Sequence, residues 1–215
     1  MGLSRNQRLI GLTGGIATGK STVATYLNAS YGIPILDADV YARDAVQVNS
    51  PILRAIANRY GQDILQTDGS LNRGKLGDII FNNRQEKVWV ENQIHPYVKQ
   101  CFLMALKELH NVPQVVLMIP LLFEAELTDW VTEIWVVTCS TSNQLTRLMA
   151  RNGLSRDQAL ARIASQMALA DKVARANVVL TNDRTVTDLQ AQIDRGVLMS
   201  VGGGDHGPDF DSPSD

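Results

Sequence analysis

A short apolar run, Leu9 to Leu12, leads into the segment GLTGGIATGKST at residues 11–22. Ser21 to Ser30 then continues with Val23, Tyr26 and Leu27 on one helical side. No other stretch restricts the possible folds as strongly. Gly14, Gly15, Ile16, Ala17, Thr18, Gly19, Lys20 and Ser21 satisfy G-x-x-x-x-G-K-[ST] at every fixed position. Glycines let the backbone turn inward, so that successive N–H groups surround an anion. The order strand, loop, helix sets that anion at a helix N-terminus, where N–H groups and the helix dipole favour negative charge. Lys20 adds a point charge for the outer phosphates of a nucleotide, and Ser21 offers a hydroxyl to Mg²⁺.

Four further apolar runs follow the loop. Ile33 to Leu36 ends in Asp37-Ala38-Asp39, and Val115 to Ile119, Ile134 to Thr138 and Val178 to Thr181 suit parallel strands buried on both faces. Helical segments separate them, which predicts a doubly wound α/β fold. The interval from 40 to 110 is too long for a simple crossover. It reads as a helical insertion, with breaks at Asn49-Ser50-Pro51, Thr67-Asp68-Gly69-Ser70 and His95-Pro96, and a new element from Leu71 to Phe81. His95 is accordingly expected at a helix end.

Composition narrows the function classes. A chain of 215 residues, 45% hydrophobic, supports one globular unit carrying at most a lid and a smaller subdomain. A net charge of −2 offers no overall field for nucleic acid or a membrane surface. No segment has the roughly 18 apolar residues of a membrane span, and MGLSRNQRLIGL lacks a secretory core. Met1-Gly2 is a weak lipidation signal. Cys101 and Cys139, without C-x-x-C spacing, read as buried thiols of a reducing compartment, and the expected location is the cytoplasm. The tail from 200 to 215, including His206, is expected to be disordered and solvated.

Two local patterns add chemistry. Between 147 and 175 the cations Arg147, Arg151, Arg156, Arg162, Lys172 and Arg175 face only Asp157 and Asp171. Arg147 and Arg151 share a helical face, as do Arg162 and Gln166, with a turn and cap at Asn152-Gly153-Leu154-Ser155 between them. Two basic helices joined this way suit closure over a nucleotide triphosphate. Asp37 and Asp39 end a strand where ligands bind in open α/β sheets. Either carboxylate can serve an acceptor hydroxyl, and spacing alone does not choose between them. Leu121, Leu122 and Phe123 are expected to line a substrate cleft with Glu124 at its rim.

From Leu9 to Leu189 the chain resembles the dephospho-coenzyme A kinases, small P-loop kinases. The resemblance rests on Leu12 to Ile16 with Gly19 to Thr22, Asp37-Ala38-Asp39 with Arg43, and Leu71 with Arg73 and Leu76. It continues in Glu91 with His95-Pro96, Pro120 to Glu124, Arg147, Leu148, Arg151, Arg162, Ile163, Gln166 and Asn182. It implies a five-stranded parallel core, a helical acceptor domain and a helical lid. It also implies ATP as co-substrate, Mg²⁺, and transfer of the γ-phosphate to the ribose 3′-hydroxyl of 3′-dephospho-CoA. The core would comprise 8–39, 111–140 and 173–199, the acceptor insertion 40–110 and the lid 141–172. By resemblance Asp39 activates the acceptor and helps Ser21 with the metal, while residues 14–22 and Lys20 hold ATP. Arg147 closes on the phosphates, Asn182 lies near adenine, and Arg43, Arg73, His95 and Leu121 to Glu124 serve the acceptor. The family implies a monomer or a weak homo-oligomer. Departures are Ala17-Thr18 in the loop, Asn72 where aspartate is frequent, Trp89-Val90 before Glu91, and Asn177 at a common aspartate position.

Three rivals are distinguishable. A GTPase requires a D-x-x-G switch and an N-K-x-D-type segment, which Thr181-Asn182-Asp183-Arg184 replaces poorly. Another small-molecule kinase would not account for the segment from Asp37 to Arg43. A nucleotide-responsive binding protein without catalysis would yield no phosphorylated product.

Overall fold

Seven residues in β1 (Arg8–Gly14) are buried almost without interruption, as a strand covered on both faces requires. β1 pairs in parallel with β3 (Gln114–Met118) on one side and β4 (Glu133–Thr138) on the other. With β2 (Ile35–Asp37) and β5 (Val178–Thr181), the sheet runs β2-β3-β1-β4-β5. The computed structural model describes residues 7–199. The expectations for Met1-Gly2 and for the tail at 200–215 with His206 lie outside the described residues. Among those residues, no helix is long and apolar enough to cross a membrane.

The chain divides into two compact units, one formed by Asp37–Glu108 and the other by the described residues on either side of it. In the sheet unit, α1 (Lys20–Tyr31) and α9 (Val186–Leu198) cover one face. Val23, Leu27, Leu189 and Ile193 pack there on Ile10, Leu12, Val116 and Trp135. The hydroxyls of Tyr26 and Tyr31, 2.9 and 2.7 Å from Asp194 Oδ1, tie the two helices together. Asp194 as acceptor favours both protonated phenols, pushing Tyr31 up to about 12. At the start of the sheet, Arg8 grips both oxygens of Glu133 and also donates to the carbonyls of Gly196 and Val197. The indole of Trp135 donates to the same carboxylate at 3.1 Å.

Gly196 is where α9 meets that indole. A Cβ at this position would lie 2.7 Å from Trp135 Cη2, on a side chain with no exposed surface. Overpacking costs ~1–3 kcal/mol, set against ~1 kcal/mol that alanine gains over glycine in a helix. Because the indole is enclosed, the clash dominates, and Gly196→Ala is expected to lower the urea midpoint.

The helical unit holds α2 (Ala38–Asp44), α3 (Pro51–Tyr60), α4 (Arg73–Asn82) and α5 (Arg84–Glu108). Its core contains Leu53, Ile56, Ile64, Leu71, Leu76 and Val90. Ser50 caps α3 ahead of Pro51 by accepting from Leu53 N–H at 3.0 Å. The turn near Asp68-Gly69 places Leu65 opposite Leu71 in an antiparallel bridge. The expected break at His95-Pro96 is corrected, because α5 runs through both residues. An internal proline loses a hydrogen bond and crowds the preceding turn. Here α5 is anchored on both sides of it, by Val90 before and by Phe102 and Leu106 after, so packing carries the helix across.

α6 (Thr141–Asn152), α7 (Arg156–Ala164) and α8 (Leu169–Ala174) follow β4 in the sheet unit. Gly153 in the left-handed region ends α6, and Ser155 with Gln158 forms a capping box on α7, as the turn at 152–155 predicts.

Candidate active site

The loop between β1 and α1 is shaped by its own backbone. Gly19 has φ 108°, and Asn182 Nδ2 occupies the space a side chain would need. No side chain among the described residues caps α1, so its N-terminal amide groups are donors for an anionic ligand. Lys20 Nζ donates to the carbonyls of Gly14 and Gly15 at 3.1 and 2.8 Å, folding its charge over the loop. Ser21 and Thr22 are exposed in the first turn of α1.

Side chains from within the loop and from elsewhere brace it. Thr18, with no exposed surface, donates through its hydroxyl to Gly15 O at 2.9 Å. Asn182 Nδ2 donates to Thr18 O at 2.8 Å, and its backbone N–H donates to Thr138 O. The Asn182 carbonyl in turn accepts from Arg147 Nη2 at 2.9 Å. Thus the amide that resemblance associates with adenine holds the loop, and Arg147 is fixed beside it. Among the described residues, Arg147 Nη1 is buried without a hydrogen-bond partner, a cationic donor suited to an anion. Close by, burial pushes the Cys139 thiol up, against the opposing pull of Arg147. Asp183 is held below the usual carboxylate range by the Ser140 N–H and the Asn143 amide.

The segment after β3 differs from its sequence reading. Leu122 and Phe123 are 0% and 3% exposed, so they pack inside, and only Leu121 of the three turns outward. Leu122 lies against Gly11, where an added Cβ would come within 3.0 Å of it, and Phe123 carries the Arg175 guanidinium over its ring at 4.4 Å. Glu124 is an anchor: one oxygen lies 2.7 Å from Lys172 Nζ and accepts from Met167 N–H at 3.1 Å. Lys172 has no exposed surface, so its charge relies on that carboxylate and on Pro120 O at 3.4 Å. Sequence reasoning placed Lys172 in a basic stretch suited to closing over a nucleotide and passed over Gln144 altogether. Gln144 is 4% exposed and donates to Ile16 O at 2.8 Å. Nothing in local sequence marks either residue, because both acquire partners only through distant chain segments.

In the helical unit, Asp37 caps α2 by accepting from Asp39 N–H at 2.8 Å. Partial burial raises the Asp37 pKa, while that hydrogen bond pulls the other way. Asp39 is exposed in the first turn. Arg43 and Arg73 line one cavity of about 440 Å³ with Val46, Val48 and Leu71. His95 is not among its lining residues and sits exposed midway along α5.

Among the described residues, no three His, Cys, Asp or Glu side chains group to hold a metal ion. Mg²⁺ bound with phosphates takes only one or two protein oxygens, and the exposed Ser21 hydroxyl at the α1 N-terminus is a donor of that kind.

The family model for dephospho-CoA kinase matches residues 8–188. The chain belongs to the dephospho-CoA kinase family. It is 62% identical over 187 residues to a dephospho-CoA kinase of Synechocystis sp., covering 87% of this chain and 93% of that protein. It is 59% identical to one of Trichormus variabilis, covering 87% and 95%. Among solved structures, TT1252 from Thermus thermophilus superposes with a TM-score of 0.79 at 33% identity, covering 92% of this chain and all of that one. The dephospho-CoA kinase of Campylobacter jejuni superposes at 0.65 with 27% identity, covering 88% and 94%.

The departures from the family pattern have local explanations. Asn72 caps α4 by accepting from Lys75 N–H at 3.1 Å, a task its amide oxygen performs as an aspartate would. Asn177 Oδ1 accepts from Ile134 N–H at 2.7 Å. Trp89 carries the Arg59 guanidinium 4.5 Å above its ring. That guanidinium and the Tyr60 hydroxyl bond Glu86, holding its carboxyl at about 2.

Proposed function

We infer that this chain transfers the γ-phosphate of ATP to the ribose 3′-hydroxyl of 3′-dephospho-CoA, giving CoA and ADP. The observation that carries the reading is the braced glycine loop at the uncapped start of α1, in a chain of this family. Phosphoryl transfer asks a protein mainly for alignment and charge compensation. N–H groups of the loop from Gly14 to Thr22, apart from that of Ile16, which Gln166 holds, cradle the phosphates, and Lys20 exchanges its carbonyl contacts for phosphate oxygens. Arg147 contributes its buried Nη1. Asp39 accepts the proton of the acceptor hydroxyl. Arg43 and Arg73, sharing one cavity, bind acceptor phosphates, with Val46 and Leu71 as its apolar wall. Mg²⁺, when bound, neutralises charge developing on the phosphates, and Ser21 with Asp39 would hold it.

In this reading residues 8–39, 111–140 and 173–199 form the nucleotide core. Residues 40–110 serve the acceptor, and 141–172 act as the lid. Leu121 to Glu124 support the acceptor side through Leu121, with Glu124 acting by way of Lys172. His95, which does not line the arginine cavity, serves the acceptor outside it. The enzyme works in the cytoplasm as a monomer or weak homo-oligomer, without nucleic acid or membrane.

The test is ATP- and Mg²⁺-dependent transfer to dephospho-CoA, with the product located by phosphorus NMR. Phosphorylation at the ribose 3′ position is expected. Absence of transfer from folded protein would reject the reading.

A further inference from the structure

Ile16, at the crest of the phosphate loop, is held on both sides by glutamine side chains. Its N–H donates to Gln166 Oε1 at 2.9 Å, and its carbonyl accepts from Gln144 Nε2 at 2.8 Å. One glutamine therefore fixes the peptide entering Ile16 and the other the peptide leaving it. The next residue, Ala17, has φ 59°, a left-handed conformation that a residue with a Cβ adopts only under constraint. Gly15 makes room for the arrangement, since a Cβ there would lie 2.7 Å from Gln144 Nε2.

The glutamines come from different elements. Gln144 stands in the first turn of α6, and Gln166 follows α7. Beside Gln166, Met167 N–H donates to Glu124, whose carboxylate is paired with buried Lys172. The segment bearing Gln166 is thus anchored within one residue of the clamp.

We propose that Gln144 and Gln166 are positioning residues that clamp Ile16 and hold Ala17 in the conformation required for phosphate binding. They act on the nucleotide through the loop backbone and link its shape to the α6–α7 hairpin. The proposal rests on the nucleotide half of the function inferred above.

The test uses the full chain with Gln166→Met, Gln144→Met and the double variant, each checked for folding by circular dichroism and thermal melting. Gln166→Glu retains the acceptor for Ile16 N–H. Calorimetry with ADP and Mg²⁺ is expected to show affinity weakened about tenfold in either methionine variant, the scale of one hydrogen bond. Hydrogen exchange at the Ile16 amide should accelerate in Gln166→Met and recover in Gln166→Glu. KM for ATP should rise while KM for dephospho-CoA stays unchanged. The double variant should lose less than the product of the single losses, because both glutamines hold one residue. Unchanged ADP affinity in folded Gln166→Met overturns the clamp, as does a lowered melting temperature with both KM values unchanged. If Gln144→Met does not fold, Gln166→Met decides alone, because its position is only partly buried. A parent that binds no ADP overturns the nucleotide reading and the clamp together, whereas normal parent binding with unaffected variants overturns the clamp alone.

Discussion

Asp39→Asn is expected to reduce phosphate transfer to dephospho-CoA by about 10²–10⁴-fold, the usual contribution of a positioned general base, while ADP binding is retained. The exchange keeps side-chain shape and removes the ability to take a proton. It also spares the α2 cap, because that hydrogen bond uses the backbone N–H of residue 39 and the carboxylate of Asp37. Steady-state rates with a circular dichroism control measure the effect. Asp37→Asn is the comparison: its amide oxygen continues to cap α2, so folding and most activity should survive. A large loss at Asp37 with little loss at Asp39 would exchange their roles. An inactive Asp39→Asn that has also stopped binding ADP would point to the nucleotide site instead of the acceptor.

Removing Glu133 should destabilise the sheet unit by about 3–5 kcal/mol, the range for breaking a buried ion pair from one side. Its side chain is 1% exposed and that of Arg8 is 15% exposed. Glu133→Ala takes away both carboxylate contacts of Arg8 and the acceptor of the Trp135 indole. Arg8 keeps the carbonyls of Gly196 and Val197 and some access to water, which favours the lower end of the range. Replacing both partners with apolar residues, Arg8→Met with Glu133→Leu, should recover much of the loss, because no charge then remains to be desolvated. Urea denaturation at constant m-value provides the measurement. A double variant no more stable than Glu133→Ala would show that hydrogen-bond geometry, not stranded charge, dominates the site.

Much of the architecture is legible from local pattern. The apolar runs at Val115–Ile119 and Ile134–Thr138 overlap β3 and β4, and Val178–Thr181 coincides with β5. Capping residues at Ser50, Asn72 and Ser155 begin helices by hydrogen bonds that span three residues. Pro96 shows the limit of such reading. Its helix-breaking cost is local, but the contacts that carry α5 past it come from the packed core.

The candidate site divides along the same line. Sequence alone determined the glycine loop at the start of α1, with Lys20 and Ser21 in it, because backbone turning and helix-end charge depend on adjacent residues. It also determined that Asp37 and Asp39 stand at the end of a strand. Only the tertiary structure decided that Leu122 and Phe123 pack inside, that Glu124 neutralises buried Lys172, and that Gln144, Gln166 and Asn182 brace the loop. Such hydrogen bonds join residues up to 164 positions apart. A glutamine or lysine has no conformational signature of its own that names its partner. Burial assigns the partner, because an enclosed polar group must be satisfied by whatever the fold brings within reach.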